Sequence, residues 1–153
     1  MKRINKYVAL SLLSLCFLLN NLACLADSVA TLEKNTTVVA QVEKVAPLAV
    51  VNNPQFYLDK TITMEAKFDK FSTLGLDYPP AMRANTDYIS FMIFRDDTSF
   101  DIPLSEMKLF LKRDVAQEFV ELKSKEKVVI TGKVFSTALG DPWIDVTELK
   151  IVK

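Results

Sequence analysis

Histidine is absent from this 153-residue chain, and its two cysteines, Cys16 and Cys24, both lie near the amino terminus. The usual general base, thiolate nucleophile and zinc ligands are therefore missing from everything that follows Cys24. Glycine is scarce as well, with only Gly75, Gly132 and Gly140. Three scattered glycines build no phosphate-cradling loop, and no G-x-S-x-G elbow occurs. Charge is balanced overall, 19 Lys and Arg against 19 Asp and Glu.

What is present begins with an address. Lys2, Arg3 and Lys6 precede an almost unbroken apolar run from Tyr7 to Leu19. A membrane-spanning helix needs roughly 20 apolar residues, so this shorter run reads as the core of a secretory signal peptide, residues 1–26. Cys24-Leu25-Ala26 places small residues at −3 and −1 and predicts cleavage before Asp27. The alternative is a lipobox ending at Cys24, which would make that cysteine a lipidated amino terminus and the chain a membrane-anchored lipoprotein. Asn21 occupies the position where such boxes carry an aliphatic residue. Cleavage at 26 removes both cysteines, so no disulfide framework is expected. It also removes three basic and no acidic residues, leaving 16 against 19 and a net charge of −3. The mature chain then has no general attraction to phosphate backbones or anionic membranes.

Residues 27–46 have no committed periodicity and read as a flexible arm; residues 47–153 read as one domain. Pro47 suits the first turn of a short helix, with Pro54 expected to stop it. In "TITMEAKFD", Ile62, Met64, Ala66 and Phe68 alternate with polar residues, the mark of a half-buried strand. A long loop, 70–86, follows. "DYISFMIFR" reads as a second strand and "FDIPL" as a third. Met107, Leu111, Val115, Phe119 and Leu122 fall at helical spacing, with Asp114 and Gln117 resembling a capping box, so a helix is expected over 115–123. Residues 105–113 fit helix or strand. "KVVITGKVF" is the fourth strand, with Gly132 as a small residue where a sheet bends at a barrel corner. "WIDVTELKIV" is the fifth. There Ile144 and Val146 share one face and Leu149 and Ile151 the other, so a bulge near Thr147 is expected to bring both pairs inward.

Strand, long loop, two strands, helix, two strands is the order of an OB-fold, a five-stranded Greek-key barrel. The fold class expected is mainly β, with one helix between strands three and four and a short amino-terminal helix. "NPQFYLDKTITMEAKF", "KEKVVITGKV" and "WIDVTELKIV" resemble the lead-in and the fourth and fifth strands of exported bacterial OB-fold proteins linked to envelope and stress functions. The resemblance covers roughly residues 53–153. Asp59 and Ala66 depart from it, standing where glycines are common. What it implies is fold more than function; separately, the absence of histidine argues against a haem attached through that residue.

No catalytic residue, cofactor or metal is expected. Asp96, Asp97 and Asp101 gather enough oxygen for a hard cation but lack the glycine and distal glutamate of an EF-hand, and read as a solvated turn. Lys108, Lys112 and Arg113 form the densest basic cluster and read as a snorkelling helix face. The preferred contact surface is loop 70–86, whose apolar content exceeds what solvation requires. Its candidate binding residues are Leu74, Leu76, Tyr78, Met82 and Arg83, joined by Tyr88 and Arg95. The alternative for that loop is a lid folded over the barrel. The function expected is a non-catalytic exported binding module, periplasmic or extracellular, for an envelope protein or a small ligand. An oligonucleotide- or oligosaccharide-binding OB-fold protein is the alternative, and a weak metal-dependent hydrolase comes third. Nucleic acid is not expected as a partner, nor a membrane except through lipid on Cys24. Trp143, the only tryptophan, is expected to be buried in the barrel and not to serve as an exposed ligand platform.

Overall fold

The computed structural model describes residues 42–152. The expected signal peptide, Cys24 and most of the expected 27–46 arm lie outside the described residues. The described chain opens with a two-residue strand β1 (Glu43–Lys44) and two short helices, α1 (Pro47–Asn52) and α2 (Pro54–Tyr57). Each helix carries its proline in the first turn, where a missing N–H is no loss. Pro54 therefore starts a second helix and does not merely end the first. The barrel strands follow: β2 (Thr61–Ser72), β3 (Tyr88–Ile93), β4 (Lys108–Lys112), β5 (Lys127–Ser136) and β6 (Trp143–Ile151). Helix α3 (Arg113–Ala116) and one 3-10 turn (Gln117–Phe119) connect β4 to β5.

Hydrogen-bonded neighbours run β2-β3-β4-β6-β5, and β5 returns to β2, closing the sheet. Among these five strands all pairs are antiparallel except β4 with β6, which is parallel; the short β1 also pairs in parallel with β2. This is a closed five-stranded OB-fold-like barrel. Its interior is filled by alternate residues of every strand, among them Ile62, Met64, Ile93, Leu109, Ile130 and Ile144, all without solvent exposure. Removal of that much apolar surface from water is the main force holding the barrel closed.

Three irregularities shape the strands, one of them a shift between Val134 and Ser136 that leaves Phe135 as an extra residue in β5. Phe68 pairs with Ile93 but Lys70 with Met92, leaving Asp69 as an extra residue in β2. The bulge resets the alternation, so that Phe71 again packs against the core and the strand continues to Ser72. The second bulge is the expected one. Thr131 faces Glu148 and Gly132 faces Val146, so Thr147 is the inserted residue. Ile144, Val146 and Leu149 are all buried as a result, whereas Ile151, at the frayed end, remains exposed. Gly132 is required by close approach. A Cβ there would stand 2.6 Å from the Asp145 carbonyl oxygen and 2.8 Å from Ile144 Cγ2.

Four expectations are corrected. "FDIPL" is not a barrel strand; it contributes one isolated bridge, Phe94 to Pro103. The third strand is Lys108–Lys112, in the ambiguous segment. Leu109, Phe110 and Leu111 are all buried, because both faces of this strand are covered, and a strand apolar on both faces loses its period of two. The basic cluster is consequently no helix face: Lys108 and Lys112 bound a strand, and only Arg113 enters helix. The helix expected over 115–123 is shorter and starts at Arg113. Met107 and Leu111, counted in its apolar stripe, belong to the approach and inner face of β4. The capping box is also absent. Lys112 is the N-cap and makes no side-chain cap bond, while Asp114 Oδ1 accepts from the adjacent Val115 N–H at 2.9 Å.

Gly132→Ala is expected to destabilise the domain by at least about 1–3 kcal/mol, the usual cost of overpacking, because the clash is with backbone that cannot rotate away. Chemical denaturation measures it; an unchanged midpoint would mean that β5 and β6 are not so closely apposed.

Candidate functional site

Loop 73–87 connects β2 to β3 and does not stand free. It folds across the outside of the barrel wall, where a second apolar cluster forms from Ala81, Phe110 and Trp143, with Leu76, Tyr78 and Phe135 packed against it. Strand alternation explains why it lies outside. Leu109 and Ile144 point inward, so Phe110 and Trp143, one residue away in β4 and β6, point outward. Trp143 is nevertheless only 1 % exposed. Its ring stacks on Phe110 (centroids 5.8 Å apart, 18° between planes) and, on the loop side, on Tyr78 (5.2 Å, 21°). The indole Nε1–H donates to the Ala138 carbonyl at 2.7 Å, which ties the 137–142 turn to the same cluster. Gly75 touches it from above: a Cβ would lie 3.2 Å from both Phe110 Cζ and Trp143 Cζ3, and φ is +83°. Only glycine meets both conditions without strain.

Arg83 fixes the far side of the loop. Its Nε and Nη2 donate to the two carboxylate oxygens of Asp145, at 2.8 and 2.5 Å, a two-pronged pairing on the outer face of β6. Nη1 donates to the Met82 carbonyl at 2.9 Å, and the guanidinium lies 3.7 Å from the Phe135 ring centroid. The hydrogen bond to Asp145 strengthens the hold of Arg83 on its proton, against the opposing effect of partial burial. A forked, partly desolvated pair of this kind fixes geometry as well as adding energy.

The seven candidate binding residues thus separate. Leu76 and Tyr78 face the barrel wall and Arg83 is the clasp, while Tyr88, at the start of β3, packs beside them. Leu74 and Met82 remain outward, 41 % and 53 % exposed. Leu139, in the turn that holds Trp143 and not among the seven, is exposed as well, with a positive φ of 61°. Arg95 is elsewhere. It follows the other end of β3 and donates to both oxygens of Asp97 at 3.0 Å and to Glu106 at 2.8 Å. The hydrogen bond from Arg95 lowers the Asp97 pKa. Glu106 is lowered first by its own backbone N–H and then by Arg95.

Of the remaining acidic turn, Asp101 pairs with Lys125 at 2.7 Å. Among the described residues, no three His, Cys, Asp or Glu side chains gather where they could hold a metal ion. Two of the site's partners escaped the sequence reading. Asp145 is legible only as the outward residue between inward Ile144 and Val146. Phe110 is hidden by its apolar neighbours.

No family model matches the chain, and no curated protein sequence matches it. Solved structures of similar fold include a "putative nucleic acid-binding lipoprotein" from Klebsiella pneumoniae, 13% identical, with 78% of this chain and 98% of that one covered and a TM-score of 0.48. The hypothetical protein ygiW from E. coli is 12% identical, with coverages of 72% and 90% and a TM-score of 0.40. A putative aspartyl-tRNA synthetase from Leishmania major is 14% identical with a TM-score of 0.45, and this chain, covered over 78%, spans only 22% of its length. At these identities the likeness concerns fold alone. One expectation is corrected by it: a neighbour of this fold is described as binding nucleic acid, so nucleic acid is not ruled out as a partner.

Replacing Trp143 by alanine is expected to cost about 3–5 kcal/mol, the range for a buried large aromatic. It removes the ring on which loop and wall meet. Native tryptophan emission should be blue-shifted, as for a buried indole. Red-shifted emission with an unchanged melt in the variant would instead mark Trp143 as an exposed platform.

Proposed function

We propose that this chain is a non-catalytic binding module, exported to the bacterial envelope, that engages a protein or small ligand through loop 73–87. The observation that carries the reading is the division of the loop's apolar residues. Leu76, Tyr78 and Ala81 dock it on the barrel wall, and Leu74 and Met82 are left facing solvent. Leu139, in the turn that holds Trp143, is exposed as well. A loop already held in place loses little entropy when a partner binds it. Catalysis through histidine is excluded by composition. Export rests on the leader and on either Asp27 or a lipidated Cys24 as the new terminus. In keeping with that address, no helix among the described residues is long and apolar enough to cross a membrane.

The test is site-directed photocrosslinking in a bacterium expressing the full chain. A photoreactive residue at Leu74 or Met82 is expected to give one discrete adduct in the envelope fraction, and the same residue at exposed Glu118 none. Equal labelling from both faces, or recovery of unprocessed chain in the cytoplasm, would contradict the proposal. An adduct to nucleic acid would move the assignment to the oligonucleotide reading.

A further inference from the structure

The edge of β2 that faces away from β5 is used at both ends and open in the middle. At one end the Val45 N–H donates to the Thr63 carbonyl at 2.9 Å, completing the parallel pairing with β1. At the other the Phe94 N–H donates to the Lys67 carbonyl, also at 2.9 Å. Backbone groups alternate in direction along a strand. Phe68 exchanges its bonds with Glu126 and Lys125 on the β5 side, so Met64 and Ala66 share that direction. The N–H and C=O of Glu65 and the N–H of Lys67 therefore point to the open edge. Among the described residues none of the three has a hydrogen-bond partner.

A groove of about 340 Å³ lies over this edge, with Ala66, Phe94, Val128 and Val152 among its lining. Two cations also line it and face each other: Lys67 and Lys127 are directly opposite in the β2–β5 ladder. Like charges so placed repel. Neither forms an ion pair among the described residues, whereas Glu65 is taken by Lys44 and Arg95 by Asp97 and Glu106. Four residue steps separate Thr63 from Lys67, about 13 Å at ~3.3 Å each. Val45 and Phe94 already occupy the Thr63 and Lys67 carbonyls, so the open stretch is short and the two lysines stand at its Phe94 end. A short chain ending in a negative charge matches both features.

We infer that this groove takes the extended carboxyl-terminal end of a partner polypeptide. Its backbone pairs with Glu65 and Lys67, continuing the pairing that β1 begins, and its terminal carboxylate lies between the Lys67 and Lys127 ammonium groups. Recognition of this kind uses main-chain bonds for affinity and the charged chain end for direction. The groove adjoins the Ile93 end of β3 and the proposed contact loop the Tyr88 end, so the two proposals stand or fall separately.

The test uses the isotope-labelled protein and a pool of randomised, N-acetylated hexapeptides with free terminal carboxylates. That pool is expected to shift the backbone amide resonances of Glu65 and Lys67. The same peptides as terminal amides should not. Converting both lysines, Lys67→Gln with Lys127→Gln, should weaken the response about tenfold, the loss expected for hydrogen bonds to a charged group, with the melting temperature unchanged. Asp96, also at the rim, makes a terminal ammonium the competing end, tested by an amidated pool with free amino termini. The inference is overturned if the amide pool acts as well as the acid pool, if only the free-amine pool binds, or if no pool moves these resonances.

Discussion

Trp143 holds this molecule together from the outside. A small barrel has one interior to fill, and here Ile62, Met64 and their neighbours fill it. The wall formed by β4 and β6 is apolar on its outer side too, and that second surface must also leave water. Tyr78 and Leu76 cover it, with the indole sandwiched between Phe110 and Tyr78. A connection that would otherwise be a long exposed excursion becomes a third layer of the structure.

The charged groups are arranged around that layer. Arg83 reaches a carboxylate on the outer face of β6 and lies over Phe135, fastening the loop where its apolar contacts end. Lys108 does the same for the 137–142 turn, donating to Asp141 at 3.0 Å and to the Ser105 carbonyl. Loop and turn thus converge on one tryptophan, and each leaves an apolar side chain in solvent. The open edge of β2 is another kind of surface, where backbone groups and two lysines without partners among the described residues lie beside apolar side chains.

Much of the barrel was legible because its signals are local. Alternation marked the first, fourth and fifth strands, and the slip between Val146 and Leu149 located the bulge at Thr147. The third strand was not legible. Leu109, Phe110 and Leu111 look alike in sequence, and only the docked loop explains why the middle one is buried. The candidate site was half legible for the same reason. An excess of apolar residues showed that loop 70–86 contacts something, but not that Leu76 and Tyr78 contact this protein while Leu74 and Met82 do not. Arg83 and Asp145 are 62 positions apart, a pairing that no local pattern reveals. Arg95 shares the residue type of Arg83 but sits at the opposite end of β3, a separation that only strand direction discloses.

The central claim is that loop 73–87 is a fixed part of the fold. Amide hydrogen exchange tests it most directly. The Asp77 N–H donates to the Arg83 carbonyl at 3.3 Å and the Ala81 N–H to the Tyr78 carbonyl at 3.0 Å, both within the docked loop. If the aromatic stack and the Arg83–Asp145 clasp hold, these two amides exchange only through a costly opening and are protected like those of barrel strands. Exchange of Asp77 and Ala81 at the rate of an unstructured peptide, in a barrel whose strands stay protected, would contradict the account.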